Sequence, residues 1–207
     1  MDSFALGIDT GGTFTDGVIY NLNSGEIITK TKVITTRNDL TIAVRACITN
    51  LLRDINDEEK QKLVRDSIKM TCLSTTLATN ATVEGQGADV GCILIGVDIE
   101  KSLPTQHIIS IAGGCDIHGK EKQCVDIETC KKAIIDTKEK VEAYAISGYM
   151  SIRNPEHELI VAELVHTLTG YPVVCGHHLT GDLGVYERTV TAILNARLIP
   201  LIAHLID

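Results

Sequence analysis

Aromatic residues are scarce in this sequence, which has no tryptophan, two phenylalanines and five tyrosines. A core built around packed aromatic rings is therefore excluded. Hydrophobic residues still make up 44% of the 207 residues, so the core must be formed mainly by Ile, Val, Leu and Ala. A chain of this length and composition predicts one large globular domain or two small ones.

Positive charge is also in short supply. The formal net charge is −8, and no basic stripe is present that would neutralise a phosphate backbone, which argues against a nucleic-acid partner. No apolar run reaches the length of a membrane span, and the opening residues Met1-Asp2-Ser3 carry an acid instead of the basic segment of a secretory signal. We therefore expect a cytoplasmic protein with neither a nucleic-acid nor a membrane partner.

Cysteine pairs at disulfide or zinc-site spacing are lacking as well. The seven cysteines are an odd number, include no Cys-x-x-Cys pair, and in several cases sit inside apolar runs: Cys47, Cys72, Cys92, Cys115, Cys124, Cys130 and Cys175. This pattern predicts buried, reduced thiols instead of a disulfide framework or a zinc site.

Three histidine-containing stretches invite a functional reading. The stretch CGHH, Cys175 to His178, offers three metal-capable side chains, but neighbouring residues at one strand end point to opposite faces, which favours a structural or solvent-exposed role. The Gly-rich stretch Gly113 to Gly119 suits either a substrate loop or a plain surface turn. His157 follows a helix cap, and a structural role is the simplest interpretation.

The first half of the chain predicts a meander of three strands followed by helices and strands. The residues after a cap at Asn38 repeat their apolar side chains at helical spacing through Arg53. Thr75 to Val83 is helical in pattern and lies between two further strands. The predicted strands are Phe4–Asp9, Gly17–Tyr20, Ile27–Ile34, Ile68–Leu73 and Val90–Ile95. This order is typical of an α/β fold.

The second half repeats the α/β theme after a weakly patterned stretch from Asp98 to Gln123. Its predicted elements are a helix Cys130–Lys140, a strand Val141–Ser147, a helix from Asn154-Pro155-Glu156 to Gly170, a strand Val173–Cys175 and a helix Tyr186–Ile206. The last helix carries an unusually wide apolar stripe. It is either a tightly packed terminal helix or the surface on which a second part of the protein packs.

The most distinctive stretch is DTGGTFTD, Asp9 to Asp16, between two apolar strands. Adjacent glycines let the backbone approach a ligand closely, and consecutive N–H groups in such a turn form an anion-binding concavity. Thr13 and Thr15 add hydroxyl donors. Asp9 repels a phosphate unless a divalent cation such as Mg²⁺ lies between them. A hairpin without any ligand fits the same spacing equally well.

This turn is similar to the first phosphate motif of the superfamily that unites sugar kinases, actin and the heat-shock ATPases. Within that superfamily, four segments resemble the N-terminal domain of the hydantoinase/5-oxoprolinase family. They are DTGGTFTD at Asp9 to Asp16, STTLATNATVE at Ser74 to Glu84, SGYMSIRNPEHE at Ser147 to Glu158, and YERTVTAILNARLIPLI at Tyr186 to Ile202. They occur in family order and span nearly the whole chain.

The resemblance implies a ribonuclease H-like, actin-like ATPase fold. Its N-terminal domain has a mixed sheet that begins with a three-stranded antiparallel meander, with helices on both faces. We assign residues 1–185 to this domain and residues 186–207 to the start of a helix leading to a second domain. No later Gly-rich loop pairs with Asp9 to Asp16, so the isolated chain is expected to bind nucleotide weakly and not to turn over.

The resemblance also implies an activity, namely ATP-dependent opening of five-membered cyclic amides of the hydantoin or 5-oxoproline class. Phosphorylation of the amide carbonyl oxygen by ATP makes the carbon electrophilic enough for water to attack. The implied cofactors are ATP and Mg²⁺, and the implied partners are a small cyclic amide and a C-terminal domain or second subunit. A homo-oligomer is compatible with the apolar last helix.

Site residues follow from the resemblance, position by position. The resemblance implies that Asp9 organises the Mg²⁺, and that Asp9 and Asp16 are the catalytic acids; Asp16 is alternatively a simple turn cap. The implied phosphate-binding residues are Gly11, Gly12 and Thr13, with Thr15 in support, and the implied substrate-binding residues are Thr75, Thr76 and Asn80. For the last group the alternative is ordinary helix capping by Ser74 or Thr75.

One departure from the family and two alternative functions remain. Many family members carry His-Gly before the paired threonines, where this chain has Leu73-Ser74. If that histidine transfers protons in its relatives, this chain must use another group or act on a different substrate. The chain is alternatively a non-catalytic, actin-like nucleotide-binding or assembly module. A small-molecule kinase or an ATPase activator of the same superfamily also uses the hairpin, but leaves STTLATN and NPEHE unexplained.

Overall fold

The structure, a computed structural model, describes residues 2–36 and 39–206. The chain divides into two compact units, Met1–Glu84 and Gly85–Asp207. We refer to them as the first and second units and describe each by itself.

The first unit contains a four-stranded mixed sheet. Its strands are β1 Phe4–Thr10, β2 Phe14–Asn21, β3 Ile27–Ile34 and β4 Ile68–Thr75, in the order β3-β2-β1-β4. β1 and β2 pair antiparallel, as do β2 and β3, whereas β4 runs parallel to β1. The predicted meander is therefore confirmed, and the parallel strand β4 makes the sheet mixed.

Three helices complete the first unit: α1 Leu40–Arg53, α2 Glu58–Asp66 and α3 Leu77–Val83. Cys47 and Leu51 of α1 and Val64 of α2 pack in one core cluster with buried residues of β1 and β2. The predicted cap at Asn38 lies outside the described residues. The carboxylate of Asp39 caps α1, because it accepts a hydrogen bond from the backbone N–H of Thr41 at 2.9 Å.

The second unit is built on a parallel sheet. The strands β5 Val90–Ile95, β6 His107–Ile111, β9 Ala143–Gly148 and β10 Val173–Cys175 pair in the order β10-β9-β5-β6. A two-stranded hairpin, β7 Gly114–Cys115 with β8 Glu121–Gln123, follows β6. Every residue of β5 and β9 is buried, because a parallel sheet is covered on both faces.

Helices supply that cover. α4 Ile127–Thr137 and α5 Glu156–Thr169 pack against one face of the sheet, and α6 Val185–Ile206 packs against the other. The predicted α/β class is confirmed, and helices on both faces occur in this unit. The sequence did not predict α2, β6 or the β7–β8 hairpin. No helix in the described ranges, 2–36 and 39–206, is long and apolar enough to cross a membrane.

Candidate functional site

The turn between β1 and β2 is fixed from one side by Thr35. The backbone N–H of Gly11 donates to the carbonyl of Phe14 at 2.9 Å, which closes the turn. The Thr35 hydroxyl donates to the carbonyl of Gly11 at 2.8 Å, and the Thr35 N–H donates to the carbonyl of Thr13 at 3.0 Å. Gly12 and Thr13 remain exposed. The turn therefore has a defined shape and an accessible tip.

The predicted phosphate and substrate residues lie side by side. A side chain at Gly12 would place its Cβ 3.2 Å from Nδ2 of Asn80, so only glycine fits without displacement. Asn80 Nδ2 is 3.3 Å from the Thr76 hydroxyl, to which it donates, and the Thr76 N–H donates to the carbonyl of Thr10 at 3.3 Å. The fold thus brings together two motifs that are far apart in the sequence.

Further hydroxyl side chains of the two motifs lie in the strands or directly next to them. Ser74 and Thr75 belong to β4, and Thr76 is the N-cap of the seven-residue helix α3 without a side-chain capping bond. The strand thus continues through Ser74 and Thr75, and the N-cap position itself is held by Thr76. Thr15 is fully buried, and its hydroxyl is 3.0 Å from that of Thr35. It supports the turn from inside.

The two predicted acids are cross-strand neighbours. Asp9 of β1 pairs directly with Asp16 of β2, and Asp16 pairs with Lys32 of β3. On its other side Asp9 pairs with Ser74 of β4. We call these four residues the acidic row. Paired positions across a sheet point to the same face, so the two carboxylates are neighbours there.

The charges along the acidic row are unevenly compensated. Lys32 Nζ lies 2.7 Å from Oδ1 of Asp16, and both side chains are about half exposed. The Asp9 carboxylate is exposed and has no hydrogen bond or ion pair within the part of the chain that the structure describes. Directly opposed like charges are unfavourable. The row therefore retains a negative centre at Asp9, and free carboxylate oxygens are the ligands that Mg²⁺ prefers.

A groove of about 850 Å³ runs past the acidic row. Asp9, Asp16, Lys32 and Ser74 all line it, and so does Leu73. Leu73 is 41% exposed, so its side chain faces an accessible groove. A leucine at this position contributes apolar surface and no proton acceptor.

The NPEHE motif organises loops of the second unit. Asn154 Oδ1 accepts from the N–H of Glu156 at 3.1 Å, and its amide donates to the carbonyl of Gly119 at 3.1 Å. His157 Nδ1 accepts from the N–H of Gly114 at 3.1 Å, and its Nε2 lies 2.8 Å from Glu121 Oε1. Nε2 therefore carries the proton, and this bond holds the pKa of Glu121 below its ordinary value. The expected structural role of His157 agrees with these contacts.

Sequence reasoning missed the last residue of that motif. Glu158 is fully buried, and its Oε2 lies 2.6 Å from Nδ1 of His177. A glutamate within an amphipathic helix usually faces solvent, so neither its composition nor its spacing identified it. The stretch CGHH contains no carboxylate, and the one that meets His177 comes from α5.

Comparisons with known proteins place this chain among characterised relatives. It is 28% identical to the caprolactamase subunit alpha of Pseudomonas jessenii, over 99% of this chain and 32% of that protein. It is 27% identical to the acetophenone carboxylase gamma subunit of Aromatoleum aromaticum, over 94% of this chain and 31% of that protein. The chain therefore spans about a third of the length of these relatives.

Solved structures support the same placement. The ATP-dependent caprolactamase from Pseudomonas jessenii matches with a TM-score of 0.76 and 27% identity, over 96% of this chain and 32% of that one. Nucleotide-free acetone carboxylase matches with a TM-score of 0.75 and 20% identity, over 99% of this chain and 34% of that one. These likenesses confirm the actin-like N-terminal fold.

The family assignment rests on a match over most of the chain. Residues 5–169 match the model of the hydantoinase/oxoprolinase N-terminal region. That range includes the turn, the acidic row and the NPEHE motif. The chain belongs to the hydantoinase/oxoprolinase family and corresponds to its N-terminal region.

Proposed function

We propose that this region binds the phosphates of ATP for an enzyme that opens a cyclic amide. The observation that carries the proposal is the acidic row beside an accessible glycine turn, with no counter-charge at Asp9 from residues 2–36 and 39–206. The family match and the relatives described as ATP-dependent support the use of ATP.

Each residue of the turn has a distinct part in this proposal. The backbone N–H groups of Gly12 and Thr13 and the Thr13 hydroxyl bind phosphate oxygens, since consecutive N–H groups in a turn attract anions. Gly11 keeps the turn tight, and Thr15 holds it through Thr35. Asn80 and Thr76 border the same turn and contact the transferred phosphoryl group or the substrate.

The acidic row fits a Mg²⁺ ion. Asp9 offers an uncompensated carboxylate, and Asp16 a second one that Lys32 partly neutralises. Bound there, Mg²⁺ supplies charge neutralisation for the phosphates. Asp9 is then its ligand, directly or through water, while Asp16 orients the surrounding shell and Lys32 limits the net charge of the row.

The chemistry proposed for the whole protein accounts for every atom. The amide carbonyl oxygen attacks the γ-phosphorus, and ADP leaves. Water then attacks the activated carbon, and the ring nitrogen takes a proton and leaves, which gives an acyl phosphate. A second water attacks the acyl carbon, and the phosphate departs with the former carbonyl oxygen. The part of this region is to position the phosphates and stabilise their charge. Leu73 cannot act as the base, so the proton acceptor for water comes from another residue.

The ring size and the partner are also matters of proposal. Hydantoin and 5-oxoproline are five-membered candidates from the family resemblance, and the similarity to a caprolactamase makes a larger lactam an equal candidate. Because the chain spans about a third of relatives that are named as subunits, we propose that catalysis needs a further domain or a second subunit.

An isotope experiment tests this function. The complete protein, with any partner subunit, is incubated with MgATP and each candidate cyclic amide labelled with ¹⁸O at the carbonyl. We expect amide-dependent release of ADP and transfer of the label to phosphate, both abolished by Asp9→Asn and unchanged by Asp2→Asn, an exposed acid of the same unit. Ring opening with unlabelled phosphate would contradict carbonyl phosphorylation.

The isolated chain gives a second test. We expect weak, Mg²⁺-dependent ATP binding by calorimetry and no steady hydrolysis. Steady hydrolysis by this chain that is lost on Asp9→Ala would show that no further domain is needed.

A further inference from the structure

Three metal-ligating side chains converge inside the second unit. Glu158 comes from the first turn of α5, Cys175 is the last residue of β10, and His177 lies in the short turn that follows. One ligand atom from each, a carboxylate oxygen, a thiol sulfur and an imidazole nitrogen, lies within 4.8 Å of the other two. We call this group the Glu-Cys-His cluster. It is independent of the proposed phosphate site.

The buried carboxylate of Glu158 is held by backbone donors and, among the described residues, is not in direct contact with a lysine or an arginine. Oε1 accepts from the N–H of Gly148 at 2.8 Å, and Oε2 accepts from the N–H of His177 at 3.0 Å. Within residues 2–36 and 39–206, no lysine or arginine forms an ion pair with this carboxylate. The buried guanidinium of Arg188 donates to the carbonyls of Asp182 and Gly148, and it interacts with the Glu158 carboxylate only through its charge, which partly offsets the lowering of the Arg188 pKa by burial. A cation in direct contact with a buried carboxylate stabilises it further, because the interaction is little screened by water.

A metal ion fits between the side chains of Glu158 and His177 after a small movement. Oε2 and Nδ1 are 2.6 Å apart, so in the metal-free chain a proton lies between them. Replacing the proton by a metal ion with bonds of about 2.0–2.1 Å in tetrahedral geometry requires the two atoms to separate to roughly 3.3 Å. His177 is in a short turn with its side chain 11% exposed, which permits this small movement.

The thiol of Cys175 is available to complete the set. Its one hydrogen bond is long, 3.9 Å from Sγ to the carbonyl oxygen of Glu158, and little is lost when it breaks. The thiolate is the form that ligates a metal ion, so the thiol proton leaves to solvent as the ion binds.

We propose that Glu158, Cys175 and His177 bind a divalent transition-metal ion of the zinc type, with water in the fourth position. Thiolate and imidazole ligands favour such ions over Mg²⁺, which prefers oxygen ligands alone. Three protein ligands plus water is the arrangement of an open zinc site. The second unit therefore has a metal preference opposite to that of the acidic row in the first unit.

Cobalt(II) is the probe, because its absorption reports both thiolate ligation and tetrahedral geometry. The full chain is stripped with a chelator and titrated with Co²⁺. We expect a near-ultraviolet thiolate-to-cobalt band and visible tetrahedral bands that saturate at one ion per chain. Zn²⁺ should displace the Co²⁺ and abolish both, and excess Mg²⁺ should leave them unchanged.

Variants locate the site. Cys175→Ser and His177→Asn should lose the thiolate band; the asparagine amide keeps a donor near Glu158, so this variant tests the ligand without removing that hydrogen bond. Cys72→Ser and Cys124→Ser alter the two exposed cysteines and should bind Co²⁺ as the parent chain does. A chain without a thiolate band, or a band that survives in both Cys175→Ser and folded His177→Asn, overturns the proposal.

Discussion

The two units of this protein use charge in opposite ways. The first unit exposes two acids on its sheet, where Asp9 has no partner among the residues that the structure describes and Asp16 forms an ion pair with Lys32. The second unit buries Glu158 completely and surrounds it with donors. An exposed acid on a rigid strand is free to bind a ligand, whereas a buried acid stabilises the loops that donate to it. The difference separates an acid that is open to a ligand from solvent from an acid that the fold encloses and holds in place.

The largest effect should come from removing the buried acid. Glu158→Ala leaves the N–H groups of Gly148 and His177 without an acceptor, and we expect a loss of about 3–5 kcal/mol in the free energy of unfolding. Urea denaturation measures it. Glu163→Ala, an exposed position of the same helix, should change stability by about 0.5 kcal/mol or less. Equal losses for both variants would remove the distinction between the units.

The four-stranded sheet of each unit contains a glycine that lies directly against a neighbouring side chain, and these two glycines give the next comparison. A Cβ at Gly91 would lie 2.5 Å from Cε1 of Tyr144, and one at Gly17 would overlap Sγ of Cys47. We expect Gly91→Ala and Gly17→Ala each to cost about 1–3 kcal/mol. Thermal melting of both variants checks this, with Gly181→Ala, where no heavy atom lies within 4 Å of the added Cβ, as the control.

Removing the charge of the exposed Asp9 should raise the stability of the protein, the opposite of the effect expected at Glu158. Asp9→Asn removes the repulsion from Asp16 and is expected to raise stability by about 0.2–1 kcal/mol, while it abolishes Mg²⁺-dependent ATP binding. Calorimetry and denaturation of the same sample measure the two effects. A loss of both stability and binding would indicate that Asp9 is structural. Asp2→Asn should change neither.

The smallest expected effect is the loss, at acid pH, of the stability that the hydrogen bond between His157 and Glu121 contributes to the second unit. The hydrogen bond from His157 lowers the pKa of Glu121, so its contribution to stability is present above the ordinary carboxyl pKa of 4.5 and is lost as the pH falls through the lowered value. Glu121→Gln should therefore be less stable than the parent at pH 7, and the gap should narrow in acid. Denaturation at several pH values measures it, and Glu100→Gln should show no such trend.

Sequence patterns predicted several elements closely and missed others for identifiable reasons. β3, β5 and β10 have the bounds that their apolar runs predicted. α2 escaped notice because it is largely charged and buries only Val64. β6 was not predicted because its five residues of mixed burial are too few to form a recognisable strand pattern. Short or polar elements are held by tertiary contacts, which local patterns do not contain.

The candidate sites also contain some features that consecutive residues predict and others that only tertiary contacts set. The glycine turn was predicted because all its donors lie within eight consecutive residues. The pairing of Asp9 with Ser74 and of Asp16 with Lys32 was not, because strand register sets it. The assigned roles of Asp9, Asp16, Gly11, Gly12, Thr13, Thr15, Thr75, Thr76 and Asn80 remain predictions until the variants are measured.

The sequence by itself determined the α/β class, the meander and the family, because each depends on residues that are contiguous or regularly spaced. Only the tertiary structure decided that no described residue supplies a counter-charge to Asp9 and that Glu158 meets Cys175 and His177. Glu158 and His177 are 19 positions apart, and the docking of α5 against the sheet brings them into contact. A counter-charge or a ligand set that depends on distances between elements is fixed only when those elements pack.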